Sequence, residues 1–195
     1  MASKSQISWA KIARRIRVPI GFIFTALYLW LARPTWKSLL FGIALVIVGV
    51  TVRALASGHV RKNEKLTTSG PYAYTRNPLY LGSLILAVGF AVAALNWWIA
   101  IAIVVIFLAI YLPVIRSEEV FLRTRFPEFS EYSRRVPILI PRFTPPNRSE
   151  EVFSWELYRK HREYNAAIGS AALIAALVAK LLWAAHHGPG PGWPS

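Results

Sequence analysis

The chain has 195 residues, of which 55% are hydrophobic and only 16% are charged. A soluble domain averages about 25% charged residues, so the composition excludes an ordinary soluble globular protein. The formal net charge of +14 lies in basic clusters that flank apolar runs, a pattern typical of membrane topology and anionic-lipid attraction rather than of nucleic-acid binding. Because the chain has no cysteine, disulfides, cysteine-ligated metals and a cysteine nucleophile are excluded.

Five apolar runs approach or reach the length of about 20 residues that a helix needs to cross a bilayer. In chain order they span 18–32, 39–56, 79–95, 97–115 and 166–185. Arg53 can extend toward the interface from the end of the second run, and Pro113 is expected to kink or end the fourth helix. The sequence therefore predicts an all-α, polytopic membrane helix bundle with about five transmembrane helices.

A single polar residue, Asn96, separates the third apolar run from the fourth. Because the combined stretch is far too long for one crossing, Asn96 is expected to mark a tight turn between antiparallel helices. Trp97 and Trp98 would then lie at the membrane interface, where indole rings are enriched. Such a hairpin brings the start of the third helix and the end of the fourth to one membrane face.

The distribution of Lys and Arg predicts the orientation of the bundle. With a cytoplasmic N-terminus, segments 1–17, 57–78 and 116–165 face the cytoplasm and carry 5, 4 and 10 of these residues, whereas the outer segments carry two. All nine acidic residues are glutamates and fall within the second and third of these segments. This asymmetry predicts an N-in, C-out topology, polar chemistry at the cytoplasmic face and, we expect, a prokaryotic inner membrane.

The chain is expected to divide into four parts. These are a basic N-terminus with the first helix (1–37), a core that carries the polar motifs (38–142), an interfacial helix with the fifth crossing (143–185) and a tail (186–195). The tail is rich in Gly and Pro and is expected to be disordered.

The first polar motif is LTTSGPYAYTRNPLYLG at 66–82. Asn77 and Pro78 predict a helix start, with Asn77 at the N-cap and Pro78 in the first turn. The N–H groups and partial positive charge of that helix end, beside Arg76, can hold a carboxylate. Tyr72 and Tyr80 lie on either side of the helix start. The structural alternative is a capped helix with interfacial aromatic residues and a basic flank.

The second polar motif begins with Arg116-Ser117-Glu118-Glu119, where the fourth helix leaves the membrane. Adjacent residues of a helix point about 100° apart, so one glutamate can face the bundle while the other meets solvent or an arginine. With the first motif, these groups suit a zwitterionic cation such as S-adenosylmethionine. Arg76 or the helix end would meet its carboxylate, Glu118 its ammonium or ribose, and Tyr72 and Tyr80 its adenine and sulfonium.

Together the two motifs resemble the isoprenylcysteine carboxyl methyltransferase and phospholipid methyltransferase superfamily. The resemblance covers roughly residues 38–142 and is carried by Gly70-Pro71-Tyr72, Arg76-Asn77-Pro78-Leu79-Tyr80-Leu81-Gly82, Glu118-Glu119, Tyr132 and Arg135-Val136-Pro137. It implies an integral membrane methyltransferase that uses S-adenosylmethionine. The acceptor would be lipophilic, an isoprenylcysteine carboxylate or a phospholipid amine, and would enter from the bilayer.

The resemblance also implies roles for individual residues. Its cofactor-binding positions correspond to Leu66, Thr67, Tyr72, Arg76, Asn77, Pro78, Leu79, Tyr80, Glu118 and Glu119. Arg116 is the candidate for orienting the substrate, and no metal is implied. Asn77 stands where the eukaryotic enzymes have His, and an amide cannot titrate near neutral pH, so a histidine-based proton relay is not implied.

Two other functions are compatible with the sequence. A related-looking membrane fold serves NADPH-dependent reductases, which should need more basic residues for the extra phosphate and a longer cofactor groove. A non-catalytic membrane scaffold would retain the hairpin and bind ligand without turnover. The expected partners are membrane lipids and a lipophilic substrate, with no nucleic acid, and the sequence leaves the oligomeric state open.

Overall fold

The computed structural model describes residues 21, 23–61, 64–144 and 152–188, and no β-strand occurs within these ranges. Helix α1 covers 23–31, α2 Trp36–Ser57 and α3 Pro78–Ala94, with a short 3-10 turn at Gly70–Ala73 between the last two. Helix α4 is continuous over Trp97–Arg125. It is followed by α5 at Phe129–Arg135, α6 at Trp155–Lys160 and α7 at Tyr164–His187.

Three of these helices, α2, α4 and α7, are long and apolar enough to cross a membrane, and α3 is a shorter apolar helix of 17 residues. The prediction of an all-helical membrane protein is therefore confirmed. The count of five crossings and the orientation of the N-terminus stay predictions, because the basic segment 1–17 lies outside the described residues. The predicted tail also lies outside them from residue 189 onward, and α7 extends through His187.

The predicted turn between α3 and α4 is confirmed. Helix α3 ends at Ala94 and is followed by Leu95, which takes a left-handed φ of 50°. The Asn96 side chain accepts a hydrogen bond from the Trp98 backbone N–H at 3.0 Å. The Asn96 amide also donates to the Leu31 carbonyl at 3.0 Å. One asparagine thus caps α4 and ties the hairpin to the end of α1.

The sequence predicted that Pro113 would either kink or end α4. The second of these expectations is wrong, because the helix continues past Pro113. A π-helical segment, Phe107–Tyr111, ends two residues before the proline, and the Leu112 N–H donates to the Phe107 carbonyl. This shift of one residue in the hydrogen-bond pattern lets the helix pass a residue that has no N–H group. The helix therefore continues to Arg125 and carries the second polar motif on its final turns.

Helices α2 and α3 pack against each other through four glycines, spaced seven residues apart on each helix. A Cβ atom on Gly42 would lie 2.7 Å from the Gly89 carbonyl oxygen, and one on Gly49 would lie 2.8 Å from that of Gly82. The reciprocal distances, from Gly82 and Gly89 to the opposite carbonyls, are both 2.9 Å. The two backbones are therefore in direct contact, as small residues permit between membrane helices.

Lys180, which lies within α7, joins this helix to the end of α1. Its ammonium donates to the backbone carbonyls of Leu29 at 2.6 Å and Ala32 at 2.7 Å, at the end of α1. The last carbonyls of a helix have no partner within that helix, so this lysine caps α1 from a neighbouring helix. Beside it, Leu177 of α7 packs with Tyr28 of α1 in the buried core.

The glycine contact predicts that Gly89→Ala destabilises the protein. The new methyl group would lie 2.9 Å from the Gly42 carbonyl oxygen, and relief of that overlap should cost about 1–3 kcal/mol in the free energy of unfolding. Thermal unfolding in detergent measures the effect. The control is Gly169→Ala on α7, where a Cβ would meet nothing within 4 Å. An equal or higher midpoint for Gly89→Ala than for this control would contradict the close contact.

Candidate active site

A cavity of about 460 Å³ lies where the start of α3, the last turns of α4, α5 and the segment before α3 meet. Pockets for cofactors and small ligands have volumes of about 300–1,000 Å³, so the cavity is large enough for such a molecule. Eight of the ten residues predicted to bind a cofactor line it: Leu66, Thr67, Tyr72, Arg76, Asn77, Leu79, Tyr80 and Glu118.

The two polar motifs meet inside this cavity through one hydrogen bond. The Tyr80 hydroxyl, in the first turn of α3, donates to Oε1 of Glu118 on α4 at 2.9 Å. The Tyr80 ring also stands edge-on to Tyr111, with ring centroids 5.9 Å apart. The carboxylate of Glu118 is therefore oriented by the Tyr80 hydroxyl beside the cavity.

Glu119, the neighbour of Glu118, lies outside the cavity lining and pairs with Arg76. Nε of Arg76 is 2.9 Å from Oε1 of Glu119, a charge contact whose geometry is not that of a hydrogen bond. The same guanidinium donates to the Ser133 carbonyl at 2.8 Å. Arg76 thus lines the cavity with its charge balanced by Glu119, and it joins α3, α4 and α5.

The start of α3 is built as the sequence predicts, with one difference. Asn77 occupies the N-cap position, but its side chain does not cap the helix. Its amide donates instead to the Ile138 carbonyl at 2.8 Å. Pro78 is buried and lies outside the lining, whereas Leu79 and Tyr80 line the cavity. The positive end of α3 therefore has no side-chain cap, and Leu79 and Tyr80 of its first turn line the cavity.

Two tyrosines form the buried wall of the cavity. The Tyr132 hydroxyl donates to the Tyr72 backbone carbonyl at 2.7 Å. Burial raises the pKa of Tyr72 well above its usual value, and the nearby Tyr132 and the charge of Glu118 raise it further. Burial likewise raises the pKa of Tyr132, against the opposing effect of Arg76. Both phenols stay protonated at physiological pH and act as neutral groups.

Seven residues of the lining were not among the predicted cofactor-binding residues, although Tyr132 belongs to the second motif, and three predicted site residues, Pro78, Glu119 and Arg116, lie outside the lining. The seven residues are Val60, Arg61, Lys65, Phe121, Leu122, Phe126 and Tyr132. The spacing of α4 contains a signal for two of them, because positions three and four after Glu118 lie on its helix face. Arg116 is exposed and does not line the cavity, so its role in orienting a substrate stays a prediction.

The contacts of Arg76 predict a structural cost for its removal. Arg76→Gln would leave the half-buried Glu119 carboxylate without its counter-charge, and we expect a loss of about 1–3 kcal/mol in the free energy of unfolding. Chemical or thermal unfolding in detergent measures the loss. Arg135→Gln is the matched control, because Arg135 forms an exposed pair with Glu131, and such pairs contribute about 0–1 kcal/mol. Equal losses in the two variants would contradict the predicted role of Arg76.

Comparison with known proteins identifies relatives of two kinds. Residues 37–128 match the model of the phospholipid methyltransferase family. The chain is 37% identical over 137 residues to the cobalt-zinc-cadmium resistance protein CzcN of Cupriavidus metallidurans, covering 66% of this chain and 62% of the relative. It is 28% identical over 144 residues to the protein-S-isoprenylcysteine O-methyltransferase of Schizosaccharomyces pombe, covering 69% of this chain and 59% of the relative.

A nickel-cobalt-cadmium resistance protein, NccN of Alcaligenes xylosoxydans xylosoxydans, is 32% identical over 142 residues, 72% of this chain and 60% of the relative. The chain thus spans about three fifths of the length of these curated relatives. No solved structure shows a significant match. Among the described residues, no group of three or more His, Cys, Asp or Glu side chains could hold a metal ion. The family match and these relatives confirm the resemblance to the isoprenylcysteine carboxyl methyltransferase and phospholipid methyltransferase superfamily that the two polar motifs predicted.

Proposed function

We propose that the protein is a membrane methyltransferase that uses S-adenosylmethionine as its methyl donor. The observation that carries this proposal is the Tyr80–Glu118 hydrogen bond, which brings the two family motifs together at one cavity. A carboxylate held by a phenol has no cationic partner in that contact and suits a cationic ligand. The positive end of α3 belongs to the first polar motif, and its partial charge suits the carboxylate of the ligand.

The residues of the cavity fit the parts of S-adenosylmethionine. Glu118 would accept hydrogen bonds from the ammonium, and the start of α3 with the exposed cations Arg61 and Lys65 would meet the carboxylate. The apolar side chains of Phe121 and Leu122 suit the adenine ring. When bound, the cofactor supplies a methyl group on a sulfonium that is already activated for displacement. The protein would therefore contribute mainly proximity and alignment.

The lining favours a carboxylate as the methyl acceptor over an amine. Among the described residues that line the cavity, Glu118 is the only carboxylate, and none is His or Cys. Their raised pKa values keep Tyr72 and Tyr132 neutral, so neither phenol is a base. An ammonium must lose a proton before it can accept a methyl group, whereas a carboxylate needs no base. Arg61 and Lys65 would also attract an anion.

The proposal includes a lipophilic acceptor that enters from the bilayer, at the cytoplasmic face of a prokaryotic inner membrane. Support for lateral entry comes from Phe121, which lines the cavity and is 49% exposed on a helix long enough to span the membrane. Support for the cytoplasmic face comes from the basic residues of the segments that hold both motifs. A water-soluble acceptor that reacts equally well without a membrane would contradict lateral entry.

Calorimetric binding of S-adenosylhomocysteine and NADPH to the detergent-purified protein tests the cofactor. We expect S-adenosylhomocysteine to bind and Glu118→Ala to weaken its affinity at least about tenfold, because a hydrogen bond to a charged group is lost. Glu128→Ala is the control, since Glu128 is exposed and lies outside the cavity. Binding of NADPH alone would favour the reductase. No binding of S-adenosylhomocysteine by folded wild type would refute the proposal.

The pH dependence of the rate tests the acceptor. A carboxylate is fully ionised above about pH 6, so methylation of a prenylated cysteine should proceed at a nearly constant rate from pH 6 to 8. Methylation of phosphatidylethanolamine would instead rise by about tenfold per pH unit below the pKa of its ammonium. Transfer of labelled methyl groups to the two lipids, compared in the same detergent, measures both rates. Faster methylation of the amine across this range would contradict the carboxylate acceptor.

A further inference from the structure

The segment 152–163 precedes α7 and lies outside the residues that match the family, 37–128. It ends at Glu163, which forms an ion pair with Arg53 of α2. The Arg53 guanidinium donates from Nη2 to Oε2 of Glu163 at 2.7 Å and from Nε to the same oxygen at 3.1 Å. The two side chains are only 23% and 14% exposed. The expectation that Arg53 extends toward the interface stays a prediction, and the structure adds its contacts with Glu163 and with α3.

The other side of the Arg53 guanidinium reaches the first turns of α3. Nη1 donates to the Ser83 hydroxyl and approaches the Leu79 carbonyl at 3.5 Å. The Ser83 hydroxyl itself donates to the Leu79 carbonyl at 2.9 Å. Leu79 lines the cavity and precedes Tyr80, the partner of Glu118. A continuous chain of polar contacts therefore runs from Glu163 to the turn that carries Tyr80.

The absence of a side chain at Gly82 makes this route possible. A Cβ atom there would lie 2.7 Å from Cγ of Arg53, so the arginine stem crosses α3 at a glycine. A buried guanidinium needs a counter-charge or a full set of hydrogen-bond acceptors. Glu163 supplies the counter-charge, and the serine and carbonyl accept the remaining hydrogen bonds. Without Glu163, the arginine would be drawn toward water and away from α3.

The same segment also contacts the loop that follows α2. The Ser154 backbone N–H donates to the Gly58 carbonyl at 2.9 Å, and the His161 ring nitrogen Nδ1 lies 3.1 Å from the Ser57 carbonyl oxygen. A side chain on Gly58 would overlap the ring of Phe153. This loop supplies Val60, Arg61 and Lys65 to the cavity. The segment 152–163 therefore contacts both Arg53, which reaches the first turns of α3, and the loop after α2. No residue of the segment lines the cavity.

We propose that Glu163 is a positioning residue of the active site, which acts through Arg53 to hold the Leu79–Tyr80 turn in place for the bound cofactor. This inference rests on the proposed function. The carboxylate of Glu163 accepts its hydrogen bonds from Arg53, so its effect on the Leu79–Tyr80 turn passes through the guanidinium. The inference gives the region after residue 128 a role in cofactor affinity.

A double-mutant cycle on the affinity for S-adenosylhomocysteine tests the inference. We expect Glu163→Gln and Arg53→Gln each to weaken binding about tenfold, and the double variant to be no more than about twofold weaker than either. Glu163→Asp, which retains the charge, should recover most of the affinity. Glu156→Gln is the control, because Glu156 is exposed in the same segment. All affinities are measured well below the thermal midpoint of each variant.

Hydrogen–deuterium exchange of the amides at 79–83 provides a readout that needs no ligand. Glu163→Gln should increase their exchange, and Glu156→Gln should not. Wild-type affinity and exchange in Glu163→Gln, with only a lowered thermal midpoint, would overturn the positioning role and leave a purely structural pair. Failure of folded wild type to bind S-adenosylhomocysteine refutes the cofactor instead. If wild type does not bind S-adenosylhomocysteine, unchanged exchange at 79–83 in Glu163→Gln would still refute the positioning role.

Discussion

The direct contact between the backbones of α2 and α3 is the constraint on which the rest of the structure depends. Two glycine pairs, Gly42 with Gly89 and Gly49 with Gly82, place the helices so close that no side chain fits between them. This contact leaves the guanidinium of Arg53 within reach of the first turns of α3. It also sets the start of α3 relative to the end of α2, from which the cavity loop departs. The position of Tyr80 in the cavity is therefore determined by residues that do not touch the cavity.

The charged side chains in and beside the cavity are balanced in different ways. Arg53 is balanced by Glu163, and Arg76 by Glu119. Such pairing is needed because desolvation of a lone charge costs several kcal/mol. Glu118 is different, since its hydrogen-bond partner is the phenol of Tyr80, which adds no positive charge. A carboxylate placed in this way beside a cavity is suited to a cationic ligand, as the proposed function requires.

Much of the fold was predictable because membrane helices leave long apolar runs, and Asn96 marks the hairpin. The meeting of the two motifs followed from that hairpin. Which glutamate faces the cavity did not follow, because the π-helical segment Phe107–Tyr111 adds a residue to one turn of α4 and so rotates every later side chain. The loop cations Arg61 and Lys65 were missed for another reason: a segment without helical period carries no signal of which side chains point inward.

Several supports of the site come from beyond the family match at 37–128. The Ile138 carbonyl holds Asn77, the Tyr132 hydroxyl holds the backbone of Tyr72, and Glu163 holds Arg53. Each contact joins a residue of the matched region to one outside it. The residues of the family match therefore supply most of the groups that face the cavity, and contacts from the rest of the chain help to fix their positions. Under the proposed function, relatives that share the motifs could differ in affinity or acceptor through these outer contacts alone.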